Sequence, residues 1–290
     1  MGYNRISEKM VLGTVQFGMD YGITNLGSKP AKHEVLKTLS FAWENGIHRF
    51  DTAPSYGSEK VLGEFIASNG LQDKVTMLSK IPSLQGAPDY DDRMKFSIDK
   101  SLNLLGCPIE VMYLHDAADS ALLLTEPIVF QKILDDFPIS YFGVSVYEPA
   151  EIEKLKECEI DLAFQFPYNV VDKRFNGITV PHGKRYARSI FLQGLLATES
   201  ALRSGAPQEV SNIQYKYHAA LARHGLNPVQ HALSFVANSD AIDYFLVGVD
   251  SEAHIRDLLN LASNESPEID ILSEIIHEID VRWLDPRKWK

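Results

Sequence analysis

Two patterns alternate along the whole chain. Short strand candidates, most of them near-continuous apolar runs, recur at positions 10–14, 48–52, 74–80, 110–115, 139–146, 161–166, 188–192 and 243–249. Val111-Met112-Tyr113-Leu114 and Phe245-Leu246-Val247 are the clearest. A strand with one wet face alternates apolar and polar positions, whereas a strand covered on both faces reads as a continuous apolar run. These segments therefore predict a parallel sheet packed against helices. Between them lie stretches with a helical period. Residues 32–45 place Val35, Leu36, Leu39, Ala42 and Trp43 on one face and stop at Asn45-Gly46, a C-terminal helix signal. Ser58-Glu59 opens the next helix with a capping serine and an early acid, and Pro149 begins 149–157 at a position where its missing N–H is harmless. Residues 91–105, 126–135, 208–224, 229–237 and 251–261 continue the series.

Eight strands alternating with helices is the count of an α/β protein of the (β/α)8 barrel type. A doubly wound sheet is the rival, but no G-x-G-x-x-G follows any strand. No Gly/Ser linker or low-complexity tract divides the 290 residues, so one barrel domain over 1–290 is expected. A C-terminal helical extension follows it, from the acidic amphipathic stretch 268–279 to the closing Arg282–Trp289 segment. The closing segment is expected either to help shape a pocket at the barrel mouth or, through Trp289, to pin the chain end to the barrel.

Composition narrows the classes. No apolar run approaches the ~20 residues a membrane helix needs. The first residues, Met1-Gly2-Tyr3-Asn4-Arg5-Ile6, lack the apolar core of a secretory signal, and Ile6 argues against myristoylation of Gly2. Two cysteines, Cys107 and Cys158, suit a reducing compartment rather than a disulfide framework, and a cytoplasmic location is expected. A formal charge of −11 without a basic cluster makes a poor partner for phosphate backbones, so no nucleic acid is expected. His218, His224 and His231 match no compact ligand spacing, so no metal is expected either.

In such barrels the chemistry sits at the C-terminal ends of the strands. Reading those ends gives Asp51, Lys80 and His115, with Tyr56 in the loop just after Asp51. A titratable group ending an apolar strand is costly unless paired or facing a cavity. A tyrosine with an ordinary pKa of about 10 is too weak an acid alone, and a neighbouring ammonium favours its phenolate. Lys80 is placed to supply that ammonium, Asp51 to hold it charged, and His115 to hydrogen-bond a carbonyl oxygen. Together they suit carbonyl reduction, but no side chain supplies a hydride, so a cofactor must carry it.

At these residues the chain resembles the aldo/keto reductase superfamily. The matching pieces include Leu12-Gly13-Thr14-Val15-Gln16-Phe17-Gly18 and Phe50-Asp51-Thr52-Ala53-Pro54-Ser55-Tyr56-Gly57-Ser58-Glu59. Ser79-Lys80, Leu114-His115-Asp116, Gly143-Val144-Ser145, Gln165 with Tyr168-Asn169, Gln193-Gly194-Leu195-Leu196 and Val247-Gly248-Val249-Asp250-Ser251 follow in family order. The resemblance implies a (β/α)8 barrel, a nicotinamide cofactor, and a catalytic tetrad of Asp51, Tyr56, Lys80 and His115 with Tyr56 as general acid.

The resemblance also places Ser145 and Gln165 against the nicotinamide carboxamide and Thr14 and Asp51 near the ribose. Ser189, Gln193 and Gly194 would line the pyrophosphate path, with Gly248, Asp250, Ser251 and His254 toward the adenosine. Val146 stands where the family usually has Asn. The stretch Arg188-Ser189-Ile190-Phe191 offers Arg188 or Phe191 where the family commonly has an aromatic ring stacked on the nicotinamide. Members that bind a 2′-phosphate commonly use a Lys-Ser pair and an Arg; here Gly248-Val249 and His254 occupy those places, with Arg256 two residues on. NADPH is the expected cofactor and NADH the alternative. The implied partner is a small aldehyde, ketone or sugar, with Tyr21, Tyr56 and His115 as its contacts, in a monomer or small homo-oligomer. A nicotinamide-binding sensor or regulatory subunit with vestigial catalysis is the alternative function, and a barrel isomerase or lyase without nicotinamide fits the fold alone.

Overall fold

Side chains alternate across a strand, so a closed barrel sends one set of residues inward and the other toward its helices. In the computed structural model eight parallel strands obey this rule: β1 (Met10–Gly13), β2 (Arg49–Asp51), β3 (Thr76–Ile81), β4 (Ile109–Leu114), β5 (Ile139–Ser145), β6 (Leu162–Pro167), β7 (Arg185–Arg188) and β8 (Tyr244–Gly248). Each pairs with the next, and β8 closes on β1. The structure describes residues 3–19, 29–180, 183–200, 202, 206–262 and 279–289, without the side chains of 3–5. Among them no helix is long and apolar enough to cross a membrane.

Val11, Leu78, Val111, Tyr113, Ala163 and Tyr186 meet inside the barrel, with Tyr141, Tyr244 and Leu246 packed against them. Two aromatic rings in one layer need space: a Cβ on Gly143 would stand 2.5 Å from the Tyr113 ring. Tyr113 in turn packs edge-on against Tyr186 at 6.2 Å. The opposite parity, including Leu12, Phe50, Met77, Met112, Phe142, Phe164 and Val247, joins the larger core under the helices. Following the inward parity to the C-terminal strand ends gives Gly13, Asp51, Lys80, Ser145, Gln165, Arg188 and Gly248 as one layer.

The seventh strand differs from expectation. It runs Arg185–Arg188 instead of 188–192, because Ser189, Leu192 and Gln193 take left-handed φ of 57°, 46° and 56° and turn the chain out of the sheet. Ile190 and Phe191 stay with the main core, whereas the apolar residues from Leu192 on serve another purpose. Leu192, Leu195 and Leu196 form a second core with Val210, Tyr217 and Leu221 of the helix Gln208–Arg223 and with Leu284 and Trp289 from the chain end. Trp289 is buried there, and its indole donates to the Trp283 carbonyl at 2.8 Å. Trp289 thus pins the chain end, and with Pro286 and Arg287 it also lines the cleft, so the segment meets both expectations. Residues 268–278 of the acidic stretch lie outside the described residues.

Two other expectations change in detail. The helix opened by Pro149 stops at Glu153, after which Leu155 and Lys156 bond three residues back in tighter turns. Ser58 stands at the N-cap of Glu59–Asn69, but its hydroxyl makes no cap bond and joins Thr14 and Thr52, each at 2.9 Å.

Candidate active site

The inward layer brings together the side chains that the strand ends suggested. Lys80 Nζ on β3 donates to Asp51 Oδ1 on β2 at 2.6 Å and to the Thr52 carbonyl at 2.8 Å. Asp51 Oδ2 accepts from the Gln165 amide on β6 at 2.9 Å. A buried charge is tolerated only when paired and hydrogen-bonded, and both partners here meet that condition. Burial pulls the Lys80 ammonium down, but Asp51 and Tyr56 outweigh it and hold it above its ordinary 10.5. Lys80 is therefore a fixed cation at neutral pH.

Tyr56 closes a single turn, Pro54–Tyr56, that leaves β2, and Gly57 follows in the left-handed region at φ 73°. The Lys80 ammonium sits 4.8 Å from the centre of its ring. What fixes this loop is the segment after β1. The helix Val15–Gly18 packs so closely on it that a Cβ on Gly18 would fall 1.6 Å from the Tyr56 carbonyl oxygen. The Thr14–Ser58–Thr52 hydroxyl chain ties the same loop to the ends of β1 and β2. Below it, buried Glu59 accepts from Ser79 at 2.9 Å, anchoring the helix after Tyr56 to β3.

His115 follows β4 and faces Tyr56 edge-on, ring centres 6.3 Å apart. Burial first, then the charges of Lys80 and Arg188, lower its pKa below the ordinary 6.5 against the opposing pull of Asp51 and Asp116. The ring is therefore neutral at pH 7, one nitrogen carrying a proton to donate. Its neighbour Asp116 caps the turn Ala117–Ser120 by accepting from Ala118 N at 3.1 Å.

These groups open onto one cleft of about 2320 Å³ at the C-terminal face of the barrel. That volume is above the ~300–1,000 Å³ usual for a small-molecule pocket, enough for a long ligand together with a smaller one. Thr14, Asp51, Tyr56, Lys80, His115, Ser145, Gln165, Ser189, Gln193, Gly194, Gly248, Asp250 and His254 all line it. Ser251 does not; its hydroxyl accepts from His254 N at the start of the helix Glu252–Ala262. Arg256 points away as well, paired with Glu252 at 2.6 Å and lying over the Phe41 ring. Thr14 is on the wall, but its hydroxyl donates to the Asp51 carbonyl at 2.9 Å. Tyr21 lies outside the described residues.

Several lining residues escaped the sequence reading. Gln16 is one, with a buried Oε1 that has no partner. Tyr147 after β5 is another, while Pro286 and Arg287 come from the closing segment that the sequence offered as a pocket wall. Arg287 lies about 170 residues beyond His115 in the chain, and no local pattern pairs it with Tyr147.

Comparison with known proteins agrees with this architecture. The model of the aldo/keto reductase family matches residues 9–275. The D-threo-aldose 1-dehydrogenase of a Pseudomonas species is 24% identical, over 86% of this chain and 90% of that protein. The aldo-keto reductase YhdN of Bacillus subtilis is also 24% identical, over 56% of this chain and 51% of its own. Two solved structures from Pseudomonas aeruginosa, one of them PA4992, share the fold at TM-scores of 0.63, with 20% and 19% identity over 88% of this chain and 89% of each. The chain belongs to the aldo/keto reductase family and is an NAD(P)H-dependent oxidoreductase of carbonyl and alcohol groups.

Proposed function

We propose that the protein interconverts a small polar carbonyl compound and its alcohol, with Tyr56 as the proton donor in the reducing direction. The observation that carries this reading is the buried Lys80–Asp51 pair set beside Tyr56, with His115 on the same cleft. As the proton leaves the phenol, negative charge grows on its oxygen, and a fixed ammonium nearby stabilises that charge. Asp51 keeps the ammonium charged and aimed. Neutral His115 donates to the carbonyl oxygen and orients it.

The residues fit a nicotinamide dinucleotide. Gly13 and Gly248 leave the floor bare at the β1–β8 seam, and the buried, unpartnered Gln16 Oε1 faces it. Ser145 and Gln165 stand beside that floor to hold a carboxamide, and Ser189, Gln193 and Gly194 line a path for the pyrophosphate. Phe191, half-buried on the cleft, is the ring available to stack on the nicotinamide. Asp250 stays with the adenosine end. When bound, this cofactor supplies the hydride.

The far end of the cleft favours NADH over NADPH in this reading. It is lined by Asp250, His254, Asp257 and Asn260, and His254 is already 2.9 Å from Asp250. A 2′-phosphate needs fixed positive charge or a fork of donors, and Arg256 has turned elsewhere. The relative named for D-threo-aldoses supports a polyol-like substrate, aldose or similar.

Titration of the purified protein with NADPH and NADH, followed by quenching of its tryptophan fluorescence, tests this reading. Tight binding with NADH ahead, and consumption of reduced nicotinamide on adding aldehydes, supports it. A folded sample that binds neither cofactor overturns it.

A further inference from the structure

The shorter β7 has a consequence for Arg188. Placed at the end of the strand and two residues beyond inward-facing Tyr186, Arg188 projects into the same layer as Asp51, Lys80 and Gln165. Its side chain crosses the end of β6, and Nη2 donates to the Val146 carbonyl after β5 at 3.0 Å. The guanidinium lies 3.9 Å from the centre of the Tyr147 ring, and Arg287 lies against the same ring at 3.2 Å. It is near enough to His115 to lower the pKa of that ring, behind burial and Lys80.

Among the described residues Arg188 has no carboxylate partner. The acids around Tyr147 and Arg287 are bonded elsewhere. Glu151 accepts from the Tyr147 and Glu148 backbone N–H groups, each at 2.7 Å. Glu148 is held by Arg174 at 3.0 Å. Asp285 forms a fork with Arg287, so Arg287 brings little net charge. In a chain of net charge −11, a half-buried guanidinium with free donors facing a cleft is an unmet anion site.

We propose that Arg188 receives a carboxylate on the substrate, so that the protein reduces aldehydes or ketones that are also carboxylic acids, or oxidises the matching hydroxy acids. This rests on the reductase reading above and narrows its substrate class. A monoanion is favoured over a phosphate because Arg188 is the half-buried cation here, Lys154 being exposed at the rim, and Asp116 and Glu151 line the same cleft. The Tyr147 ring and the Val146 carbonyl fix the guanidinium in place, which leaves its other N–H donors for a carboxylate.

The test compares kcat/KM for glyoxylate, succinic semialdehyde and glutaric semialdehyde with propanal and butanal, and for glycolaldehyde phosphate with glycolaldehyde. It uses the wild-type protein and its Arg188→Gln and Arg188→Lys variants. Succinate binding to each, measured by calorimetry, needs no turnover. A carboxylate preference of about 10- to 100-fold in the wild type is expected. It should collapse in Arg188→Gln and survive in part in Arg188→Lys, with succinate binding following the same order. A preference that is absent, that survives in Arg188→Gln, or that belongs to the phosphate overturns the proposal. Neutral aldehydes reduced as well as acidic ones would leave the reductase reading standing. Succinate binding that depends on Arg188, without reduction of any carbonyl, would leave the anion site and remove the reductase reading.

Discussion

The Lys80 ammonium lies 2.6 Å from Asp51 Oδ1, and the two side chains are only 2% and 4% exposed. Two opposite charges so thoroughly removed from water are mutually dependent, because each is the other's replacement for solvent. The Gln165 amide and the Thr52 carbonyl complete the shell.

Replacing Asp51 by Asn leaves the Lys80 charge buried without its counter-charge. A loss of roughly 3–5 kcal/mol of stability is expected, measured by urea unfolding. The Asp51→Asn, Lys80→Met double variant should recover most of that stability and none of the activity. Equal loss of stability in both would contradict the pairing. Because Lys80 is raised above 10.5, its contribution is complete below that value and disappears as pH climbs through the higher folded value.

Gly18 and Tyr56 offer a test of positioning. Any side chain at Gly18 collides with the Tyr56 carbonyl. The Gly18→Ala variant should lose about 10²-fold in kcat, since a displacement of ~1 Å in a catalytic group has that effect. Cofactor affinity, read by fluorescence, should change far less than kcat.

His115 titrates below 6.5 because of burial, Lys80 and Arg188, in that order. An NMR titration should place its midpoint under that value in the wild type and move it upward in Arg188→Gln. The sign for stability follows: with the folded pKa depressed, its contribution is full above 6.5 and is lost as pH falls toward the folded value. An unchanged midpoint in the variant would mean that Arg188 does not face the ring.

Exchange at the far end of the cleft tests the cofactor reading. Asp257→Lys puts a fixed cation where the lining is acidic. NADPH affinity should rise by about tenfold or more relative to NADH, as one charge-assisted contact would give.

Much of the site was legible because its residues interrupt apolar strands. Asp51 and Lys80 stand at or beside strand ends, His115 directly follows the unbroken run Val111–Leu114, and the eightfold alternation says where such ends converge. Arg188 was harder: Ile190-Phe191-Leu192 reads as strand, yet left-handed backbone at Ser189 and Leu192 turns the chain out of the sheet, leaving Ile190 and Phe191 on the main core and sending Leu192 into a second one. The sequence pattern carries hydrophobicity but not which of two cores takes it. Ser58 shows the same limit, since a serine before a helix reads as a cap until Thr14 and Thr52 claim its hydroxyl. Arg287 depends on a contact between distant parts of the chain, which has no local signature.

The central claim is proton transfer by Tyr56. Single-turnover oxidation of bound reduced nicotinamide by a saturating aldehyde should slow by about 10²- to 10⁴-fold in Tyr56→Phe, with cofactor binding and melting temperature close to the wild type. A Tyr56→Phe protein that transfers hydride at the wild-type rate would contradict the account.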